Sequence, residues 1–151
     1  MTEYIIDSFS EQETFEAGRR LGEAAQSGEV YALSGDLGTG KTVLAKGFAR
    51  GLGITRPGTS PTFTILQTYE EGRVPLCHMD IYRLEDEEEL EAIGGDEYFG
   101  SRFVCLVEWA ELAEGLLPPD TVRITVEKEP ARGADYRRLT VRQNAGKENE
   151  A

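Results

Sequence analysis

The chain predicts an α/β fold of three layers, built on a mixed, mainly parallel sheet with a C-terminal hairpin at the sheet edge. Three observations predict it. Strand-like and helix-like segments alternate early and strands cluster late, the pattern of helices covering a sheet. The continuous apolar run Phe103-Val104-Cys105-Leu106-Val107 suits a strand buried on both faces. The apolar run Val30-Tyr31-Ala32-Leu33 feeds through a glycine-rich loop into the helical segment Val43–Ala49.

Tyr4-Ile5-Ile6 is a short strand. Ser10-Glu11-Gln12-Glu13 forms a capping box, in which Ser10 accepts from the Glu13 amide and the Glu13 carboxylate returns to the Ser10 amide. The helix it starts carries Phe15, Gly18, Leu21, Gly22 and Ala25 on one face, and Gly28 ends it. After the second helix, closed by Gly51 and Gly53, Thr55 to Thr62 is a polar loop with prolines at 57 and 61. Phe63–Tyr69 and Val74–Asp80 flank a turn at Glu70–Arg73 and predict a hairpin. Glu85–Ile93 reads as an acidic helix stopped by Gly94-Gly95. Pro118-Pro119 marks a turn, and the alternating runs Val122–Val126 and Tyr136–Val141 pair as the late antiparallel hairpin. Residues 1–142 are expected to form one domain, with 143–151 a disordered polar tail.

Charge narrows the partners. The chain of 151 residues carries a net charge of −12, a poor balance for binding nucleic acid directly and a suitable one for a protein partner with a basic surface. No apolar stretch approaches the roughly 20 residues that span a membrane. The N-terminal residues lack the basic and apolar regions of a signal peptide, so a cytoplasmic location is expected. Cys77 and Cys105 sit in apolar runs and read as two reduced, buried thiols, too few for a structural zinc site with a single His.

The chemistry begins at Gly35-Asp36-Leu37-Gly38-Thr39-Gly40-Lys41-Thr42, a complete phosphate-binding loop of Gly, four free positions and Gly-Lys-Thr. A triphosphate needs its charge held without water. Backbone N–H groups of Asp36, Leu37, Gly38, Thr39, Gly40, Lys41 and Thr42 are expected to wrap it, at the positive end of the following helix. Lys41 should reach the β and γ phosphates, and the Thr42 hydroxyl should ligate Mg²⁺. The bland alternative is a glycine turn with an accidental Lys-Thr.

Further oxygen ligands usually come from a carboxylate at the end of a neighbouring strand. Asp80 ends one apolar run and Glu108 ends another. If both strands run parallel to the loop strand, both carboxylates face the γ phosphate at the edge where such sheets bind ligands. One would hold Mg²⁺ while the other positions the attacking water, so Lys41, Asp80 and Glu108 are the candidate catalytic residues. Each carboxylate taken singly could be a solvated strand end. His78 shares a face with Asp80 and could orient it or the water, or be a structural His. Trp109 is either core or a lid residue beside the nucleotide. The acidic helix is either a solvated face or a docking surface for a basic partner.

The glycine loop, Ser60-Pro61-Thr62-Phe63-Thr64, His78-Met79-Asp80-Ile81-Tyr82-Arg83-Leu84 and Val107-Glu108-Trp109, in that order, resemble the TsaE (YjeE) family. These are small bacterial ATPases required for making threonylcarbamoyladenosine on tRNA. The resemblance spans about residues 8 to 110. It implies a P-loop NTPase fold, ATP and Mg²⁺ as ligands, and slow ATP hydrolysis. It implies that Thr42 and Glu108 contact the metal, with Asp80 needed for activity and a further candidate ligand. It places Thr62 in a switch loop responsive to the γ phosphate, and Glu11 beside the adenine. It also brings an Arg of the late hairpin to the nucleotide, for which Arg132 is the nearest candidate. The implied partners are TsaB and TsaD, the transferase that this ATPase would bind and reset between turnovers.

Other classes share the loop. A GTPase should carry Asn-Lys-x-Asp and a transporter ATPase Leu-Ser-Gly-Gly-Gln, and neither is in the sequence. A small-molecule kinase usually needs an Arg-rich lid, and no Arg cluster follows the second carboxylate. A non-catalytic nucleotide-binding adaptor is the rival outside enzymes.

Overall fold

The computed structural model describes residues 2–36, 38–55 and 66–143. Seven strands form one sheet: β1 (Thr2–Ser8), β2 (Val30–Ser34), β3 (Leu66–Tyr69), β4 (Leu76–Asp80), β5 (Val104–Glu108), β6 (Val122–Lys128) and β7 (Arg137–Gln143), in spatial order β1-β7-β6-β2-β5-β4-β3. The four central strands β6, β2, β5 and β4 run parallel, while β3, β7 and β1 attach antiparallel to their neighbours. The fold is mixed α/β.

Period-two alternation divides the core into two layers. Tyr31 and Leu33 of β2, Leu76 of β4 and Val104 and Leu106 of β5 pack on α1 (Glu11–Ala24) and α2 (Lys41–Gly51). Val30, Ala32, Cys77, Met79, Cys105 and Val107 point the other way, onto α3 (Glu87–Ala92) and the 3-10 segments Gly95–Tyr98 and Ala110–Leu116. Cys77 and Cys105 are free, buried and directly opposite each other across β4 and β5.

Helices α1 and α2 pack so closely that only glycine fits along the seam. A β-carbon on Gly47 would lie 2.9 Å from the Phe15 carbonyl carbon, and one on Gly51 would lie 2.8 Å from the Glu23 nitrogen. Gly18 and Gly22 face Leu44 and Phe48 in the same way.

Several expectations change in detail. The Ser10 cap forms, with the Glu13 amide donating to Ser10 Oγ at 3.1 Å, but the Glu13 carboxylate accepts from Phe9 N–H at 2.9 Å rather than from Ser10. Helix α1 stops at Ala24, where Ala25 is already extended, so Gly28 is a turn residue beyond it with φ 92°. Its N–H donates to the Phe103 carbonyl. The β6–β7 hairpin is present but does not lie at the sheet edge. Strand β1 adds outside β7, with Thr2 opposite Gln143 and Ser8 opposite Arg137. Gln143, expected to open the tail, is the last paired residue of β7. The β3–β4 hairpin forms over Leu66–Tyr69 and Leu76–Asp80; the expected polar loop from Arg56 and the first residues of the Phe63–Tyr69 run lie outside the described residues.

Candidate functional site

The site is built where β2 ends. Gly35 follows the strand with φ 148°, in the left-handed half of the map, and a β-carbon there would lie 2.6 Å from the Val126 carbonyl oxygen of β6, too close for any side chain. Thr39 closes the loop inwardly, its N–H and hydroxyl both donating to the Asp36 carbonyl, at 3.3 and 2.8 Å. Gly40 adopts φ 104° and caps α2 without a side chain. The first N–H groups of a helix have no partner inside the helix, and here no capping side chain covers them. The start of α2 therefore offers donors and a positive dipole end to an anion.

Lys41 is the first residue of α2 and is buried. Its Nζ lies 3.6 Å from the centre of the Trp109 ring and, among the described residues, is the buried side-chain polar atom without a hydrogen-bond partner. Burial lowers its pKa, while Glu108, Glu111, Asp80 and Asp36 act to raise it. A buried ammonium with only an aromatic face beneath it retains its hydrogen-bonding capacity for an anion.

The two carboxylates stand side by side. β4 and β5 both run parallel to the loop strand direction, and Asp80 and Glu108 are register partners at their C-terminal ends. Alternation puts His78, Asp80 and Glu108 on the α2 face of the sheet. Asp80 Oδ1 accepts from the Tyr82 N–H at 3.2 Å. Burial raises the Asp80 pKa; the Tyr82 bond opposes that shift, the Glu108 carboxylate adds to it, and His78 and Lys41 oppose it. Glu108 Oε2 lies 2.6 Å from His78 Nε2, with both side chains almost fully buried. Thr42, exposed on the first turn of α2, shares one cleft with His78 and Glu108.

Trp109 has φ 62° and ψ 37°, the left-handed conformation that a bulky residue adopts only under constraint. Its ring contacts both Lys41 Nζ and Tyr82, whose ring centre is 4.7 Å away. Trp109 thus belongs to the site as well as to the edge of the second core layer.

On the other side of the loop, Glu11, Thr14, Gly38, Thr39, Gly40, Val43, Asp135 and Arg137 enclose a cavity of about 220 Å³. Glu11 is therefore placed against the loop. Arg132 is not among these residues. Its guanidinium sits over the Tyr136 ring and donates to the Tyr136 hydroxyl at 2.9 Å, with Asp7 at 3.4 Å. The arginine of the late hairpin that reaches the loop is Arg137, whose Nε donates to the Thr39 carbonyl at 2.7 Å. Arg137 opens β7, beside Asp135, and nothing in its own surroundings in sequence marks it; only the fold of the hairpin brings it to Thr39. Leu37 and Thr62 lie outside the described residues.

Comparisons to known proteins show the family. The family model described as threonylcarbamoyl adenosine biosynthesis protein TsaE matches residues 8–138. The chain belongs to the TsaE family. Relatives bearing that family's name include the Bacillus subtilis protein, 49% identical over 85% of this chain and 78% of its own length. The Treponema pallidum protein is 44% identical over 79% of this chain and 87% of its own, and the Haemophilus influenzae protein 35% identical over 84% and 82%. A crystal structure of Bacillus subtilis YdiB superposes with a TM-score of 0.81 at 39% identity, covering 99% of this chain and 90% of that one. As a TsaE-family member the chain has its place in the biosynthesis of threonylcarbamoyladenosine on tRNA. No helix among the described residues is long and apolar enough to cross a membrane.

Proposed function

We propose that this chain is a Mg²⁺-dependent ATPase of the P-loop class that binds the TsaB–TsaD transferase in the cytoplasm and resets it through ATP binding and hydrolysis. The observation that carries the reading is the unpartnered Lys41 ammonium at the start of α2, facing the adjacent strand-end carboxylates Asp80 and Glu108. A phosphate chain would satisfy Lys41 and the first amides of α2 together. Asp36 to Thr42 would wrap the phosphates, and the cavity beside Glu11 and Arg137 leaves room for the nucleoside side.

The donor set suits magnesium. Among the described residues no group of three or more His, Cys, Asp or Glu is arranged to hold a metal ion by itself, and Mg²⁺ on a nucleotide takes one or two protein ligands beside phosphate and water oxygens. Thr42 Oγ1 and Glu108 would be those ligands. Bound Mg²⁺ would neutralise charge building on the phosphate oxygens. Asp80, raised in pKa and tethered by Tyr82 N–H, would orient a water and accept its proton at the carboxylate. Trp109 and Tyr82 would shield the phosphates from bulk water. The net charge of −12 favours a basic protein surface over tRNA as the direct partner.

The test is a pull-down with TsaB and TsaD, with and without ATP, followed by phosphate release from the complex. Capture of both proteins with Mg²⁺-dependent turnover is expected. ATP binding with no hydrolysis, even in the complex, would leave a nucleotide-binding adaptor. Phosphate transfer to a small molecule would make the chain a kinase. Failure to capture either protein would reject the partner assignment.

A further inference from the structure

We propose that His78 is the positioning residue for Glu108, holding one carboxylate oxygen so that the other stays presented to a divalent cation at Thr42; the inference rests on the Mg²⁺–ATP reading above. The two side chains come from neighbouring parallel strands. His78 lies opposite Leu106, and Glu108 lies opposite Asp80, so His78 and Glu108 are diagonal neighbours on one face. The Nε2–Oε2 separation is 2.6 Å, and each side chain retains 7% of its exposure. A carboxylate can only accept, so Nε2 carries the hydrogen and donates.

The surroundings make this bond strong. Thr42, His78 and Glu108 share their cleft with Ala45, Ala49, Ile54, Tyr69 and Leu76, with Lys46 also in its lining, and the burial of both side chains strengthens a hydrogen bond to a charged acceptor. A glutamate has three rotatable side-chain bonds, and freezing them at the moment of binding would weaken the metal. The imidazole freezes them beforehand. Asp80 is restrained separately, through the Tyr82 N–H, so each carboxylate has its own holder. Partners that orient metal ligands in this way commonly change metal affinity by 10–100-fold when removed.

The readout is the gain in ATP affinity that Mn²⁺ provides: the ratio of affinity with Mn²⁺ to affinity in EDTA, measured by calorimetry on the purified chain. His78→Ala should reduce that ratio by about tenfold or more while leaving the EDTA affinity within about twofold. His78→Gln, which keeps a side-chain N–H donor, should recover most of the loss. Thermal melting of both variants checks that they fold; if His78→Ala does not, the comparison of His78→Gln with His78→Leu serves instead. An unchanged ratio in the variant without a donor, or no recovery with glutamine, overturns the proposal. A wild-type ratio near one would instead remove the Mg²⁺ reading itself.

Discussion

Gly47→Ala adds one methyl group at one of the tight points between α1 and α2. The new carbon would stand 2.9 Å from the Phe15 carbonyl carbon and 3.1 Å from the Arg19 nitrogen. Carbon contacts are comfortable near 3.5–4.0 Å, so the helices have to part by roughly an ångström. The obstacle is backbone, and no rotamer change relieves it. Overpacking of this kind costs about 1–3 kcal/mol, and a rigid obstacle belongs at the upper end. Alanine returns about 1 kcal/mol through its helix propensity. The net loss is about 2 kcal/mol, which at a urea slope of about 2 kcal/mol/M moves the unfolding midpoint down by about 1 M. Because α2 starts at Lys41, the displacement also tilts the glycine loop, and ATP affinity should fall alongside stability. Urea unfolding followed by circular dichroism, with nucleotide titration of the folded protein, measures both. Gln12→Ala, on the exposed face of α1, is the control and should be neutral or slightly stabilising. A Gly47→Ala protein as stable as the wild type would refute the close-seam argument.

Lys41→Ala should weaken ATP binding by about 10–100-fold, the value of hydrogen bonds to a charged group, as read by equilibrium dialysis. Glu108→Ala should abolish Mg²⁺-dependent phosphate release while metal-free ATP binding persists; normal turnover would contradict its assignment as a ligand. ATP should draw Lys41 Nζ away from the Trp109 ring, so the emission of the only tryptophan should change on titration, and a flat signal would place the nucleotide elsewhere. Asp80→Asn should raise the melting temperature at pH 7, because the folded state raises the Asp80 pKa and so disfavours its charge. The advantage should shrink as pH falls through the raised folded pKa and vanish below the ordinary carboxylate pKa, where Asp80 is protonated in both folded and unfolded chains. An advantage independent of pH would show that removing the charge is not its source.

Local signals carried much of the fold. The apolar runs at Val30–Leu33 and Phe103–Val107 became central strands because continuous hydrophobicity suits strands covered on both faces. The loop glycines and the Ser10 cap were legible because turn and cap chemistry acts within four residues, whereas the acidic helix, read from Glu85, begins at Glu87 behind an Asp86 cap. What could not be read depended on distant partners. Strand β1 is longer than Tyr4–Ile6 because β7 pairs its whole length, including polar Thr2, Glu3 and Asp7. The same pairing moved the late hairpin away from the edge. In the site, Asp80 and Glu108 were found by their positions at the ends of apolar runs. The bond of His78 to Glu108, rather than to its near neighbour Asp80, depends on the β4–β5 register. Arg137 instead of Arg132 depends on where the hairpin folds over the loop.

The placement of β2 bears on how the chain acquires its site during synthesis. The strand that ends in the glycine loop is hydrogen-bonded on one side to β5, from Val30 with Cys105, and on the other to β6, from Tyr31 with Val122. Both neighbours leave the ribosome long after the loop itself. β7, which covers β6, is later still and closes onto the N-terminal strand. Pairings so distant along the chain form slowly, because loop-closure entropy has to be overcome before any contact offsets it. A nascent chain arrested before β6 therefore carries the whole glycine motif without the sheet that shapes it, and the site proposed for a nucleotide takes its form only as the last third of the protein folds.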